Sequence, residues 1–336
     1  MTARVLVTGA TGFVGYHVAK KALERGLGTV RCLVRPGSDL RFLRGLGVEL
    51  AEGDLRDSES LKRACRGAEV LFHVAADYRL WSKDPAELIA TNVAGTRNIL
   101  EAARAAGVRR TVYTSSVSAV GRPEGKDGAH SSVPGDETLD PAPSQLIGPY
   151  KISKYQAELE ARRFAAEGMD LVIVNPSTPV GSHDSKPTPT GRIILDFLKG
   201  RMPAYLDTGL NLVDVADVAE GHMLALQKGR KGERYILGHR NLMLREILET
   251  LARISGRPAP RFKIPYAAAW AAGFLSTALA RLTGVPPAVP LDGVRMAREI
   301  MFYSSAKAVR ELGLPQSPVD GALEKAVLFY KENGYC

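Results

Sequence analysis

Three cysteines in 336 residues are too few for a disulfide framework, and Cys32, Cys65 and Cys336 share no spacing motif. That usage fits a reducing compartment, and a cytoplasmic protein is expected. The six histidines do not cluster with cysteine or aspartate, so no metal site is expected. A charged-then-apolar leader is missing too, because a strand pattern already begins at Arg4. Lysine and arginine outnumber the acids, giving a formal charge of +9, but they are scattered. Without a basic block interleaved with aromatics, nucleic acid is not an expected partner. The excess reads as an arginine-rich solvated surface, or as attraction to phosphorylated ligands or an anionic membrane. What remains is ordinary for a soluble globular chain, 45% hydrophobic and 24% charged. Its length suits one large α/β unit with a smaller appended region.

The start of the chain carries the strongest signal. Arg4–Thr8 is a short apolar, β-branched run that leads into Gly9-Ala10-Thr11-Gly12-Phe13-Val14-Gly15, and a helical pattern follows from Tyr16 to Arg25. A strand, a glycine-rich turn and a helix in that order form a phosphate cradle. The glycines let backbone N–H groups approach a pyrophosphate, and the helix N-terminus adds partial positive charge. A dinucleotide site is therefore expected. In NAD-binding chains an acidic residue usually ends the second strand and bonds the ribose 2′-hydroxyl. Here Thr29–Val34 ends at Arg35. A guanidinium suits a 2′-phosphate, so NADP(H) is favoured over NAD(H), with Ser38 as a further donor. The bland alternative for Arg35 is a solvated surface residue. Asp54-Leu55, after the third apolar run, is placed to meet the adenine edge. Asp54 could instead cap the helix that starts near Ser58.

Apolar runs at 4–8, 29–34, 48–51, 69–75, 110–115 and 171–175 read as strands, and 58–66, 86–106 and 151–167 read as helices. This alternation predicts an α/β fold, a Rossmann-type doubly wound parallel sheet with helices on both faces. Ligands in such sheets bind beyond the carboxyl ends of the strands. His73-Val74-Ala75-Ala76 and Thr114-Ser115-Ser116 both fall at that edge. Residues 122–146 read as a surface loop, and 179–192, with three prolines, as a long polar loop. Residues 266–282 are mostly alanine and leucine, but Arg281 stops the uncharged stretch short of the roughly 20 residues a span needs. A buried or lid-forming helix is the expectation there, with an interfacial helix as the alternative.

Tyr150 and Lys154 are four apart on a predicted helix and share one face. A free tyrosine has a pKa of about 10 and is a poor base at neutral pH. A neighbouring ammonium lowers it, and the pair can then move a proton at a carbinol oxygen while a hydride moves to or from a nicotinamide. Tyr-x-x-x-Lys also occurs at Tyr16/Lys20 and Tyr303/Lys307. Only Tyr150 follows a serine-rich strand end by one connection. Of the two serines there, on opposite faces of the strand, Ser116 is chosen as the hydroxyl that would hold and polarise the substrate oxygen.

Taken together, Thr8–Gly15, Asp54-Leu55, His73–Ala76, Asn92-Val93-Ala94-Gly95-Thr96, Ser115-Ser116 and Tyr150 with Lys154 resemble the extended short-chain dehydrogenase/reductase superfamily, the NAD-dependent epimerase/dehydratase type. Ala75–Trp81, Gly148–Lys151, Asn175–Pro179, Lys186–Arg192 and Arg201–Tyr205 resemble the hopanoid-associated sugar epimerases within it. Those are similar in turn to dihydroflavonol 4-reductases and 3β-hydroxysteroid dehydrogenases. The resemblance implies a nicotinamide cofactor and a Ser116–Tyr150–Lys154 triad. It also implies a cofactor domain over 1–176, with 211–236 returning to it, and a substrate-binding region over 177–210 and 237–336. Ala75, Ala76, Pro176 and Thr178, with Tyr150 and Lys154, join the cofactor-binding set. Tyr78, Thr178 and Arg192, with Ser116, are the substrate-binding candidates. A homodimer through 86–106 and 151–167 follows by the same analogy.

Two departures bear on the substrate. Similar nucleotide-sugar epimerases carry an Asn where this chain has Thr178, and an Arg-Asp-Tyr/Phe run where it has Gly209-Leu210-Asn211-Leu212-Val213. A diphosphate needs positive charge or many donors. Arg192, Arg295 or Arg298 could supply the charge, or could be surface arginines. The expectation is an NADP(H)-dependent reductase or dehydrogenase acting on a secondary alcohol or ketone of a largely apolar small molecule, with at most peripheral membrane contact. The alternatives are a nucleotide-sugar epimerase/dehydratase with tightly bound NAD, and a catalytically silent NADP-binding regulator.

Overall fold

The computed structural model describes residues 4–123 and 133–336. Its first half runs β1 (Arg4–Thr8), α1 (Phe13–Glu24), β2 (Thr29–Val34), β3 (Glu49–Glu52), α2 (Ser58–Cys65), β4 (Val70–His73), α3 (Pro85–Ala105), β5 (Arg110–Thr114), α4 (Gly148–Ala166) and β6 (Leu171–Pro176). Its second half runs β7 (Thr178–Val180), α5 (Pro189–Leu198), β8 (Ala204–Tyr205), β9 (Gly209–Asp214), α6 (Val215–Lys228), β10 (Arg234–Leu237), β11 (Arg240–Met243), α7 (Leu244–Ser255), β12 (Phe262–Lys263), α8 (Tyr266–Thr283), α9 (Leu291–Ala297), β13 (Ile300–Met301), α10 (Ala306–Leu312) and α11 (Val319–Glu332).

Seven strands pair in the order β10-β6-β5-β4-β1-β2-β3, and every pairing is parallel. Strand alternation sends Val5 and Val7 to one face with α1 and α6, and Leu6 to the other with α3 and α4. Both faces are therefore cores. Burying each such aliphatic side chain stabilises the fold by about 1.5–3 kcal/mol. Parallel strands need long crossovers, so all seven carboxyl ends lie at one edge. That edge receives the glycine turn after β1, the Ala75 segment after β4 and Ser116 after β5. It is the doubly wound α/β architecture the alternation predicts.

Local chemistry sets the helix starts. Asp84 caps α3, accepting from Ala86 and Glu87 N–H, and Pro85 sits in its first turn. Pro149 does the same for α4, which begins at Gly148 and not at 151, so Tyr150 belongs to its first turn. The strands expected over 69–75 and 110–115 end at His73 and Thr114. The polar loop expected over 179–192 is shorter at both ends. β7 occupies its start, and the Thr188 hydroxyl caps α5 by accepting from Gly191 N–H. Of the stretch 211–236, α6 and β10 return to the large sheet. β9 joins β7, β11 and β13 in a second sheet instead. The middle of the 122–146 loop lies outside the described residues. Residues 266–282 do form a helix, α8, but it is not buried: Ala269, Gly273 and Ala280 alone are covered. Among the described residues no helix is long and apolar enough to cross a membrane.

Candidate active site

Gly9 takes φ 75°, a left-handed conformation that favours glycine, and a Cβ there would stand 2.7 Å from Ala75 N. A Cβ on Gly15 would collide with the Gly9 carbonyl oxygen. Gly12 is different: its Cβ would meet only Gly9 O, at 3.3 Å, with open space beyond. Gly12 caps α1 without a side-chain acceptor, and the first turn of α1 holds no acid. Its N–H groups and positive dipole end are thus unspent, as an anion site requires. The residues fit a dinucleotide pyrophosphate. The Thr8 hydroxyl accepts from Val74 and Ala75 N–H, both at 3.1 Å, and meets His73 Nδ1 at 2.8 Å. Burial pushes the His73 pKa down to about 3, so the ring is neutral and the Thr8 hydroxyl donates to it. This network fixes the half-buried Ala75 and Ala76 beside the glycine turn.

Arg35 is exposed at the end of β2. Its field and, more strongly, the hydrogen bonds from Arg56 hold the Asp54 carboxyl below its ordinary pKa. Arg56 N–H reaches Asp54 at 2.9 Å and its Nε at 3.0 Å. Asp54 does not cap α2: Asp57 does, accepting from Glu59 and Ser60 N–H. Leu55 rests against Gly95, and its carbonyl accepts from Asn98 at 2.8 Å.

Residues 182–186 lie against the glycine turn and close a narrow cleft there with Thr11 and Gly12. His183, at φ 68°, stacks between Tyr16 (4.5 Å) and Phe329 (5.3 Å). Buried Asp184 accepts from Thr188 and from the Tyr330 hydroxyl at 3.0 Å, and Tyr335 donates to Ser185 O at 2.8 Å. Tyr78 donates to Lys186 O at 3.0 Å, which ties the segment after Ala76 to the same strap. Arg192 is exposed on α5, with its side chain in no contact with the triad candidates among the described residues. Pro176 ends β6, and Thr178 opens β7 opposite Leu212.

The structure brings Ser116 and Tyr150 together. The Tyr150 hydroxyl lies 3.5 Å from Ser116 Oγ. Ser116 Oγ accepts from Ser118 N–H at 3.1 Å and donates to Ser118 Oγ at 3.2 Å, capping a short 3₁₀ turn at Val117–Ala119. Ser115 Oγ is buried without a hydrogen-bond partner among the described residues. Lys154 is buried one turn after Tyr150, but its Nζ donates to Thr114 O at 3.0 Å and sits over the Tyr113 ring. Its ammonium does not lower the Tyr150 pKa in this arrangement. Burial pushes that phenol up, opposed by the Ser116 and Ser118 hydroxyls. Burial also brings Lys154 down to about 8, against the pull of Glu158. The desolvation of a phenol outweighs two hydroxyl contacts, which sequence spacing alone does not reveal.

Several residues were not legible as site residues. Asn92 donates to Ser153 Oγ at 2.9 Å and to Asp77 O at 2.8 Å, and accepts from Asp77 N–H at 2.7 Å. Ser153 in turn donates to Tyr150 O at 2.8 Å, so Asn92 braces the first turn of α4 against the segment after β4. Ser118 is a second hydroxyl at the phenol. Lys151 is buried near Arg122 and Glu299, and burial lowers its pKa to about 8. Only Asn92 had a signal, its place in the Asn92–Thr96 stretch.

The profile of the NAD dependent epimerase/dehydratase family matches residues 5–238, and the chain belongs to that family of extended short-chain dehydrogenases/reductases. It is 49% identical to a Synechocystis protein with the provisional name dihydroflavonol 4-reductase, over 98% of this chain and 95% of that one. It is 37% identical to sterol demethylase protein B of Methylococcus capsulatus, over 98% of each chain. Among solved structures it is similar to a nucleoside-diphosphate-sugar epimerase from Pseudomonas aeruginosa, with TM-score 0.79 and 29% identity over 100% of this chain and 99% of that one. The family is enzymatic and binds a nicotinamide cofactor.

Proposed function

We propose that the chain is an NADP(H)-dependent oxidoreductase acting on a secondary alcohol or ketone of a largely apolar small molecule, such as a hopanoid or another natural product. The observation that carries this reading is the Tyr150 hydroxyl beside Ser116 Oγ, with Lys154 one turn along the buried face of α4, at the strand edge that also holds the glycine turn. A nicotinamide dinucleotide bound at that edge supplies or accepts the hydride. Gly9, Thr11, Gly12 and the N–H groups of Phe13, Val14 and Gly15 hold its pyrophosphate. Arg35 takes its 2′-phosphate, Asp54 and Leu55 its adenine side, and Ala75, Ala76, Pro176 and Thr178 line the rest of the cleft. Tyr150 moves the proton at the carbinol oxygen, and the Ser116 hydroxyl donates to that oxygen and polarises it. Lys154, with a pKa of about 8, carries its proton at neutral pH, and its ammonium would favour the tyrosinate once Nζ turns from Thr114 O toward the phenol. The substrate region is assembled from 177–210 and 237–336, with Tyr78, Thr178 and Arg192 at its border. The protein acts in the cytoplasm as a homodimer through α3 and α4.

The relatives support the apolar substrate. Besides the sterol demethylase protein B, the chain is 33% identical to a ketoreductase of a farnesylated quinoline oxide from Stigmatella aurantiaca. The Pseudomonas structure favours a second reading, a nucleotide-sugar epimerase that keeps NAD bound. Purified protein decides between them. The reductase binds NADPH much more tightly than NADH and consumes it with carbonyl compounds. The epimerase retains NAD through dialysis and consumes none. Tyr150→Phe is expected to abolish turnover while leaving dinucleotide affinity largely intact, and full activity would remove Tyr150 from the chemistry. Arg35→Asp is expected to shift preference from NADP toward NAD. An unchanged affinity ratio would refute the 2′-phosphate role.

A further inference from the structure

The helix α8 is inside out for a water-facing helix. A surface helix normally turns its large apolar side chains inward and its small or polar ones to solvent. In α8 the side against the protein carries Ala269, Gly273, Ser276, Thr277 and Ala280. A Cβ on Gly273 would stand 3.0 Å from Val294 Cγ2, so this small-residue stripe lets α8 lie close on α9. The Ser276 and Thr277 hydroxyls accept from Val289 and Leu291 N–H at 3.2 and 2.9 Å, which anchors the following loop. The opposite half carries Trp270, Phe274, Leu275, Leu279 and Leu282, with the last three 66%, 60% and 86% exposed. Trp270 and Phe274 stack on each other in solvent, 5.4 Å apart and within 9° of parallel. Val285, just past the helix, and Phe262, on β12 before it, are exposed as well. Contiguous exposure of this kind marks an interaction surface.

Charge selects the occupant. From Arg257 to Leu291 there is no aspartate or glutamate, while Arg257, Arg261, Lys263 and Arg281 are all exposed. Lys263 is paired with Asp207, and the other three make no ion pair among the described residues. Lys83 adds a further ammonium, 4.0 Å from where a Cβ on Gly284 would stand. A protein partner with an apolar groove would need no such excess of cations in and beside α8, whereas an anionic bilayer matches both features at once. At 18 residues α8 is about 27 Å long, and it is not apolar enough to span. We propose that α8 lies flat in the headgroup region of an anionic phospholipid bilayer, with Trp270, Phe274, Leu275, Leu279 and Leu282 toward the acyl chains. The proposal stands on this surface alone and not on the reaction assigned to the cleft.

The full-length protein is mixed with vesicles of phosphatidylcholine alone, or of phosphatidylcholine with phosphatidylglycerol, and floated on a density gradient. Flotation is expected with the anionic vesicles and is expected to weaken with salt. Trp270 emission is expected to shift to the blue and to be quenched by bromine-labelled lipid, and Trp270→Phe is expected to lose that quenched component. Leu275→Glu with Leu279→Glu should reduce flotation by at least roughly tenfold. Both side chains are exposed, so the thermal midpoint should not move. Arg257→Gln with Arg261→Gln and Arg281→Gln should reduce it by roughly tenfold or more on anionic vesicles. No flotation at low salt, or flotation indifferent to the two glutamates, overturns the proposal. So does a dimer in light scattering that dissociates in the double-glutamate variant, since a second copy would then cover this face. None of these results touches the NADPH measurements, so the two readings fail separately.

Discussion

Two alanine substitutions six residues or fewer from Gly9 should have opposite consequences. At Gly15, inside α1, alanine gains about 1 kcal/mol of helix propensity. Its Cβ, however, would collide with the Gly9 carbonyl oxygen. That oxygen cannot retreat cheaply, because Gly9 is left-handed and rests against the backbone of Ala75. Overpacking costs about 1–3 kcal/mol, and a Cβ driven this far into fixed backbone belongs to the upper part of that range, about 2–3 kcal/mol, so the loss exceeds the gain and the turn must shift. Gly15→Ala is expected to be destabilised by about 1–2 kcal/mol and to bind dinucleotide poorly. At Gly12 the Cβ would meet only Gly9 O at 3.3 Å, in an extended N-cap conformation that alanine adopts. Stability should change by less than about 1 kcal/mol. The open space beyond that Cβ is where a phosphate must approach, so dinucleotide affinity should fall at least tenfold, about 1.4 kcal/mol. Urea denaturation and calorimetric titration with NADPH and NADH read the two quantities separately. A Gly15→Ala protein as stable as the parent, or a Gly12→Ala protein that binds as tightly, would refute the assignment of one glycine to packing and the other to ligand.

The remaining expectations rest on buried polar groups. Asn92→Ala removes three hydrogen bonds and leaves Asp77 and Ser153 groups unpaired, so a loss of about 2–3 kcal/mol is expected. It should also lower kcat more than dinucleotide affinity, because Ser153 positions Tyr150. Equal kcat in the variant would leave Asn92 a purely structural residue. His73, His222 and His17 have pKa values pushed down by burial to about 3, 4 and 4, from 6.5. Between pH 6.5 and 4 the unfolded chain takes up protons that the folded chain refuses, so stability is lost as pH falls through that window. By pH 5 the loss is about 2 kcal/mol for each histidine. A urea midpoint equal at pH 7 and pH 5 would show that these rings are not held neutral.

How much was legible divides along physical lines. The sheet was readable because both its faces are cores: Val5–Val7 and Leu171–Val174 are apolar throughout, and parallel order follows from the helices between such runs. The glycine turn was readable because its spacing is set by local backbone geometry. Helix starts were misread where a proline or a cap decides them, as at Pro149 and Thr188. β9 was misplaced because Gly209–Asp214 alternates no differently from a strand of the large sheet, and only its partners β7 and β11 distinguish it. The direction of Lys154 Nζ, toward Thr114 O, depends on burial by several elements and has no sequence signature. Asn92 shows the same limit, since its partner Ser153 lies on another helix. The α8 stretch was legible as a helix and as apolar. Its orientation was not, because alanine-rich sequence has little contrast between faces until Leu291 and Val294 select the small side.

The strap at 182–186 has a consequence for the order of assembly. It is clamped between Tyr16 and His17 near the start of the chain and Phe329, Tyr330 and Tyr335 near its end. During synthesis the glycine turn therefore leaves the ribosome long before Phe329, Tyr330 and Tyr335, which clamp the strap over its cleft. Until α11 docks, the turn, the β1 edge and the aromatic face of Tyr16 stay open to water and to other chains. Contacts so distant in sequence form slowly, so the completed cleft should be among the last parts to mature. A protease that trims the final turn of α11 would be felt first not at the trimmed end but at Gly12.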